Sequence, residues 1–215
     1  MHEVADVELT LAPTRRKSLR RGLVLEYFTI GWNTLEAAVG VTFGMLAGSV
    51  ALVAFALDSV VEASSGGILL WRLRAEGSGG RPAEEVERRA IRLVAVAFLA
   101  LAAYVGVRAA LDLFSETRPD ESPVGIALAV VSLIVMPVLA WRKQVVAKEL
   151  DSRALQADST QTTLCTYLSA ILLFGLVANA WFGWWWADPI AGLGIAVFAA
   201  KEGRELWTTK DLCCR

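Results

Sequence analysis

The chain has 215 residues, of which 55% are hydrophobic and only 20% charged. A soluble domain of this length carries more charge and less apolar mass, so the composition excludes an ordinary soluble enzyme or binding module. With 21 basic residues against 22 acidic ones the net charge is −1, so no nucleic-acid partner is expected; three Cys and a single His at position 2 exclude a disulfide scaffold.

Residues 1–22 end in "RRKSLRR" and hold no short apolar stretch followed by a small-residue cleavage site. They read as a cytosolic tail and not as a secretory signal. Crossing about 30 Å of hydrocarbon takes roughly 20 apolar residues as a helix. Six stretches satisfy that length: Leu23 to Gly44, Gly48 to Trp71, Ala90 to Phe114, Val124 to Val146, Ala154 to Trp181 and Asp188 to Trp207. The fold class expected is an all-α polytopic membrane protein, with a six-helix transmembrane domain over 23–207 and a short cytosolic tail over 208–215. The first stretch includes Glu26, Asn33 and Glu36, and the last is short and interrupted by glycine.

Local punctuation supports these boundaries. "GSGGRP" separates the second and third spans, Pro123 opens the fourth and Pro137 falls near its inner end. Asp188 before Pro189 reads as a cap and first-turn proline opening the sixth. Gly40, Gly44 and Gly48 recur every fourth residue, a spacing that lets helices approach closely in lipid. The basic loops alternate with loops such as "GMLAG" and "NAWFGWWW", which hold no basic residue. That bias places both termini on the cytosolic side of the plasma membrane. Trp141 suits the inner interface and Trp184 to Trp186 the outer one.

Charged groups inside a membrane are expensive and point to a task. Asp58 and Glu62 are four apart in "ALVAFALDSVVEASS" and share one helix face. Their charges repel, and no Lys or Arg is expected deep in any span, Arg108 lying too near the outside. Protons or a metal ion are therefore the expected neutralising partners. Counted from the inner end of span five, Gln161 falls at the depth of Glu62 and Cys165 at the depth of Asp58. Carboxylates with a thiolate and an amide form an ordinary site for a divalent cation. Asn33 and Glu36 lie at similar depth as outer support or a proton pathway, and Asp158 lies one turn nearer the cytosol on an approach route. Thr160, Thr162 and Thr163 read as structural. Cys213 and Cys214 read as a frayed tail or as metal-binding. The residues alone leave other readings open. The acids and Gln161 could join helix to helix, Cys165 could be packing, and the protein could carry another cation or an organic solute. It could also be a non-transporting membrane assembly or sensor protein. No His-Glu-x-x-His run and no Ser with a base favours an enzyme.

At these residues the chain resembles the cation diffusion facilitator family of proton-coupled metal exporters. "AGSVALVAFALDSVVE" is similar to the family's second helix, "ALQADSTQTTLCTYLSAILLFG" to its fifth and "GWWWADPIAGLGIAV" to the link into its sixth. The resemblance implies Asp58 and Glu62 as metal ligands, with Gln161 and Cys165 at the fifth-helix ligand positions. Glu62 stands where the family usually has Asp, and Gln161 and Cys165 replace its His or Asp pair. The family's cytosolic domain and its His-rich loop are not found in this sequence. A thiolate favours zinc or another soft ion over magnesium or calcium. The implied function is efflux of a divalent, zinc-like metal ion in exchange for protons, with no tightly bound cofactor. A homodimer is implied too, with the glycine series on span one offering a surface for it.

Overall fold

The computed structural model describes residues 2–77 and 84–208. Six helices follow one another: α1 (His2–Ala47), α2 (Val50–Gly77), α3 (Glu84–Phe114), α4 (Pro123–Leu150), α5 (Arg153–Phe182) and α6 (Ala187–Thr208). All six expected elements are present, most of them longer than the apolar stretch that announced them. The largest extension is at α1, which begins at His2, so the segment read as a tail is helical from residue 2 and continuous with the first span. Cys213, Cys214 and most of the "GSGGRP" turn lie outside the described residues.

The turns follow from local chemistry. Gly48 takes a left-handed φ of +66° to reverse the chain between α1 and α2, and Gly183 does the same at the end of α5 with φ +65°. Ser122 caps α4 by accepting a bond from the Gly125 amide, with Pro123 in the first turn. Asp151 ends α4 in the left-handed conformation, and Ser152 at once caps α5 through the Leu155 amide. Asp188 departs from expectation. It lies inside the first turn of α6, and its carboxylate caps α2 instead, accepting from Ser49 Oγ and from the Val50 amide at 2.9 Å. Negative charge at a helix N-terminus is favourable, so this contact ties α6 to the start of α2.

α2 is the central helix. It packs on α1, α3, α5 and α6, while α1 and α5 also meet α4, and α3 pairs with α6. More than half of its membrane-length stretch, 56%, is buried, against 28% for α3. The core around it joins Leu52, Phe55, Val105, Leu172 and Ile195. The outer surface is apolar too: Leu46, Val107, Ile134, Val138, Phe174 and Val197 are all more than half exposed. A helical bundle with a greasy outside is what lipid requires, because every backbone group is bonded within its own helix. Among the described residues four helices are long and apolar enough to cross a membrane, over Val50–Trp71, Ala95–Phe114, Pro123–Leu150 and Asp158–Phe182. α1 and α6 fall short of that standard, α1 holding Glu26 and Glu36 and α6 the run from Lys201 to Glu205. Gly40 and Gly44 make the close helix approach expected of their spacing, with α2 as the partner. A Cβ on Gly40 would lie 2.7 Å from the Ala56 Cβ, and one on Gly44 would lie 2.8 Å from Val53 Cγ2. Both therefore face α2 within the chain and do not offer a free surface for a second copy.

Candidate ion-binding site

The inner faces of α1, α2, α4 and α5 each carry a polar stripe at helical spacing. On α1 it is Glu26, Thr29, Asn33 and Glu36, on α2 Asp58, Ser59 and Glu62, on α4 Ser132 and Lys143, and on α5 Asp158, Thr162, Cys165 and Ser169, all buried. Residues three and four apart stack on one face of a helix, so each stripe points one way over several turns. Four such faces turned inward give a polar interior between apolar outsides.

The centre of that interior is a contact between α2 and α5. Cys165 Sγ lies 3.2 Å from Asp58 Oδ2 and 2.8 Å from Glu62 Oε2. Thr162 Oγ1 donates to Glu62 Oε1 at 2.8 Å. Asp58 and Cys165 are each 4% exposed and Glu62 is fully buried. A thiol has one proton and satisfies one carboxylate at a time. Two carboxylates meeting in a dry interior need further positive charge, from a proton or a cation. The donors touch, yet they are bonded to one another. Among the described residues no group of three or more His, Cys, Asp and Glu side chains is arranged to hold a metal ion.

Gln161 does not join this contact. It is half-buried, and its Nε2 has no hydrogen-bond partner. Thr162, read from sequence as structural, takes the place beside Glu62. Toward the α1–α2 turn, Glu36 accepts from Ser59 Oγ at 3.2 Å and from Ser132 Oγ. Ser169 Oγ bridges to Ser132 at 3.2 Å and to the Cys165 carbonyl at 2.8 Å. Asn33 donates to the Thr29 carbonyl at 3.0 Å, and its Oδ1 has no partner.

Toward the opposite end lies a feature the sequence reading missed. Lys143 is fully buried, its Nζ bonded to Asp158 Oδ2 and 3.3 Å from Glu26 Oε1. The Glu26 contact is an ion pair without hydrogen-bond geometry, so both Glu26 oxygens and Asp158 Oδ1 still lack hydrogen-bond partners. Thr162 Oγ1, 3.4 Å from Nζ, connects this group to Glu62. The expectation that no basic residue lies deep in a span is thus corrected. Lys143 fell near the inner end of the fourth span read from sequence, Val124 to Val146; α4 continues to Leu150 and carries Lys143 on the buried face it shares with Leu139 and Val146. That spacing was the available signal. Asp158 is accordingly a partner of Lys143. Arg108 pairs with Asp112 on its own helix at 3.2 Å.

Two surface cavities flank the bundle. One, of about 320 Å³, is lined by Gly44, Ser49, Val53 and Arg108; the other, of about 590 Å³, lies between α1 and α4 at the opposite end. Neither is lined by Asp58, Glu62 or Cys165.

A helical bundle with a lipid-compatible outside and a buried acidic interior defines a polytopic membrane protein. Comparison with known proteins makes the class specific. Residues 28–209 match the cation efflux transmembrane domain. Matching over most of its length, the chain belongs to the cation efflux, or cation diffusion facilitator, family, which is one of transporters and not of enzymes. It is 29% identical over 196 residues to an uncharacterized transporter of Synechocystis, covering 86% of this chain and 62% of that protein. It is 29% identical over 118 residues to the cation-efflux pump FieF of Shewanella oneidensis, covering 52% and 40%. To transmembrane protein 163 of Xenopus laevis it is 24% identical over 188 residues, covering 87% and 66%. The chain spans less than two thirds of the length of each of these relatives.

Proposed function

We propose that the protein exports a divalent, zinc-like metal ion across the plasma membrane in exchange for protons. In this reading all six helices cross the bilayer with both termini in the cytosol, and a homodimer is the working form. Asp58, Glu62 and Cys165 take the cargo ion, with Gln161 turning in as a fourth donor. Asn33, Glu36 and Asp158 support the site or pass protons. An arriving ion displaces the protons that keep the two carboxylates and the thiol together, and reprotonation releases it. Access alternates about a site near the bilayer midplane. Carboxylate with thiolate suits zinc or a softer ion better than magnesium or calcium.

The observation that carries this reading is the contact of Cys165 with both carboxylates across α2 and α5, taken with family membership. Uptake into proteoliposomes across a panel of divalent ions, under an imposed pH gradient, tests it. Asp58→Asn is expected to abolish uptake of every ion and Cys165→Ala to shift the ion preference. Parental rates from Asp58→Asn sink the mechanism, and an unchanged preference in Cys165→Ala reduces the thiol to packing.

One observation favours a second reading, in which the acids serve assembly. Asp58, Glu62 and Glu36 are buried and bonded to neighbouring side chains, and they line neither of the two cavities described above. Under that reading the parent protein moves no ion above empty liposomes, whereas Asp58→Asn changes stability alone.

A further inference from the structure

The cavity of about 590 Å³ between α1 and α4 is built from two kinds of side chain. The lining combines the basic Lys17, Arg20, Arg21 and Arg142 with the apolar Val24, Trp141 and Val145. All four cations are exposed. Only Arg21 has an acidic partner, Glu149 at 3.7 Å, and that carboxylate also accepts from Ser18 at 2.6 Å. Lys17, Arg20 and Arg142 make no ion pair among the described residues. The apolar members stay open as well: Val24 is 60% exposed, Trp141 63% and Val145 41%.

An unpaired cluster of basic residues is ordinary at the end of a membrane helix. This one differs by being a groove. Its volume falls in the range of small-molecule sites, and its lining joins basic side chains to exposed apolar ones. Arg recognises phosphate oxygens through paired N–H donors. Trp settles at the depth where headgroup meets acyl chain. A ligand matching both kinds of side chain has an anionic phosphate and a hydrocarbon tail.

The geometry points to a binding site for an anionic phospholipid, its phosphate held by Arg20, Arg142 and Lys17 and its first methylenes laid along Trp141, Val24 and Val145. The site is separate from Asp58, Glu62 and Cys165 and does not depend on what the protein transports. Basic pockets between membrane helices hold anionic headgroups by this combination of charge and shape.

The test uses the full chain purified in a neutral detergent and offered equal amounts of phosphatidylglycerol and phosphatidylcholine. Native mass spectrometry counts the lipid retained. The parent is expected to retain phosphatidylglycerol selectively, and Arg20→Gln with Arg142→Gln to lose about tenfold to thirtyfold of that retention. Lys201→Gln with Arg204→Gln removes equal charge from α6 and is expected to retain the lipid. Excess inorganic phosphate is expected to leave the lipid bound. Equal retention of the two lipids overturns the proposal. So does an equal loss in the α6 pair, which signals diffuse attraction, or full displacement by phosphate, which signals a site for the free anion. A thermal shift on adding phosphatidylglycerol, lost only in the groove pair, is the second supporting measurement.

Discussion

Two buried acidic groups sit one above the other in this bundle, and they are resolved differently. Glu26 and Asp158 share an ammonium from the protein's own chain, that of Lys143. Asp58 and Glu62 share the Cys165 thiol, and Thr162 donates to Glu62 alone. The first group is closed by an internal cation and joins α1, α4 and α5. The second has negative side chains from one helix and, among the described residues, no ion pair; Lys143 reaches Glu62 only through Thr162. An ammonium in contact lets the acids join helices, and under the function proposed above the acids without one are left for an exchangeable cation.

Substitutions can break that contrast. Lys143→Met removes the sole ammonium between two buried carboxylates and is expected to lose about 3–5 kcal/mol of stability, read from reversible unfolding in mixed micelles. A loss below about 1 kcal/mol would show that the lower group is not an ion-pair lock. Asp188→Ala leaves the start of α2 without its carboxylate, and about 1–2 kcal/mol should be lost. If the melt does not move, the tie between α6 and α2 contributes nothing. Asp58→Asn relieves repulsion in the upper group, so its stability should match or exceed the parent's by about 1 kcal/mol. A strong destabilisation instead would place Asp58 with the structural acids. Gln161→Ala should change stability by about 0.5 kcal/mol or less, since its amide bonds nothing in this arrangement.

Much of this contrast was legible beforehand. The pair at 58 and 62 was visible because i and i+4 share a face whatever the rest of the helix does. Cys165 was found by counting depth along α5. Depth alone does not choose between the residues three and four positions away, which is why Gln161 was placed where Thr162 stands. Lys143 was hidden by the helix boundary. With the span ended at Val146, Lys143 stood in its last turn, where a cation normally faces water, and its burial follows from the face it shares with Leu139 and Val146. Polar residues at a helix end give no hydropathy signal for burial, and an ion pair spanning three helices has no local pattern to read. The six elements themselves were set by apolar length and by turn chemistry at Gly48, Ser122, Asp151 and Gly183, all of them local.

Gly40 and Gly44 have a mechanical consequence. With backbone against side chain at both points, a one-residue screw shift of α1 along α2, a rise of about 1.5 Å, would bring Val39 or Val41 against Ala56 and Phe43 or Met45 against Val53. That seam resists shear, so the two helices travel as a single strut carrying Glu36 and Ser59 together. Any large rearrangement of the bundle has to be taken up at its other, looser joints.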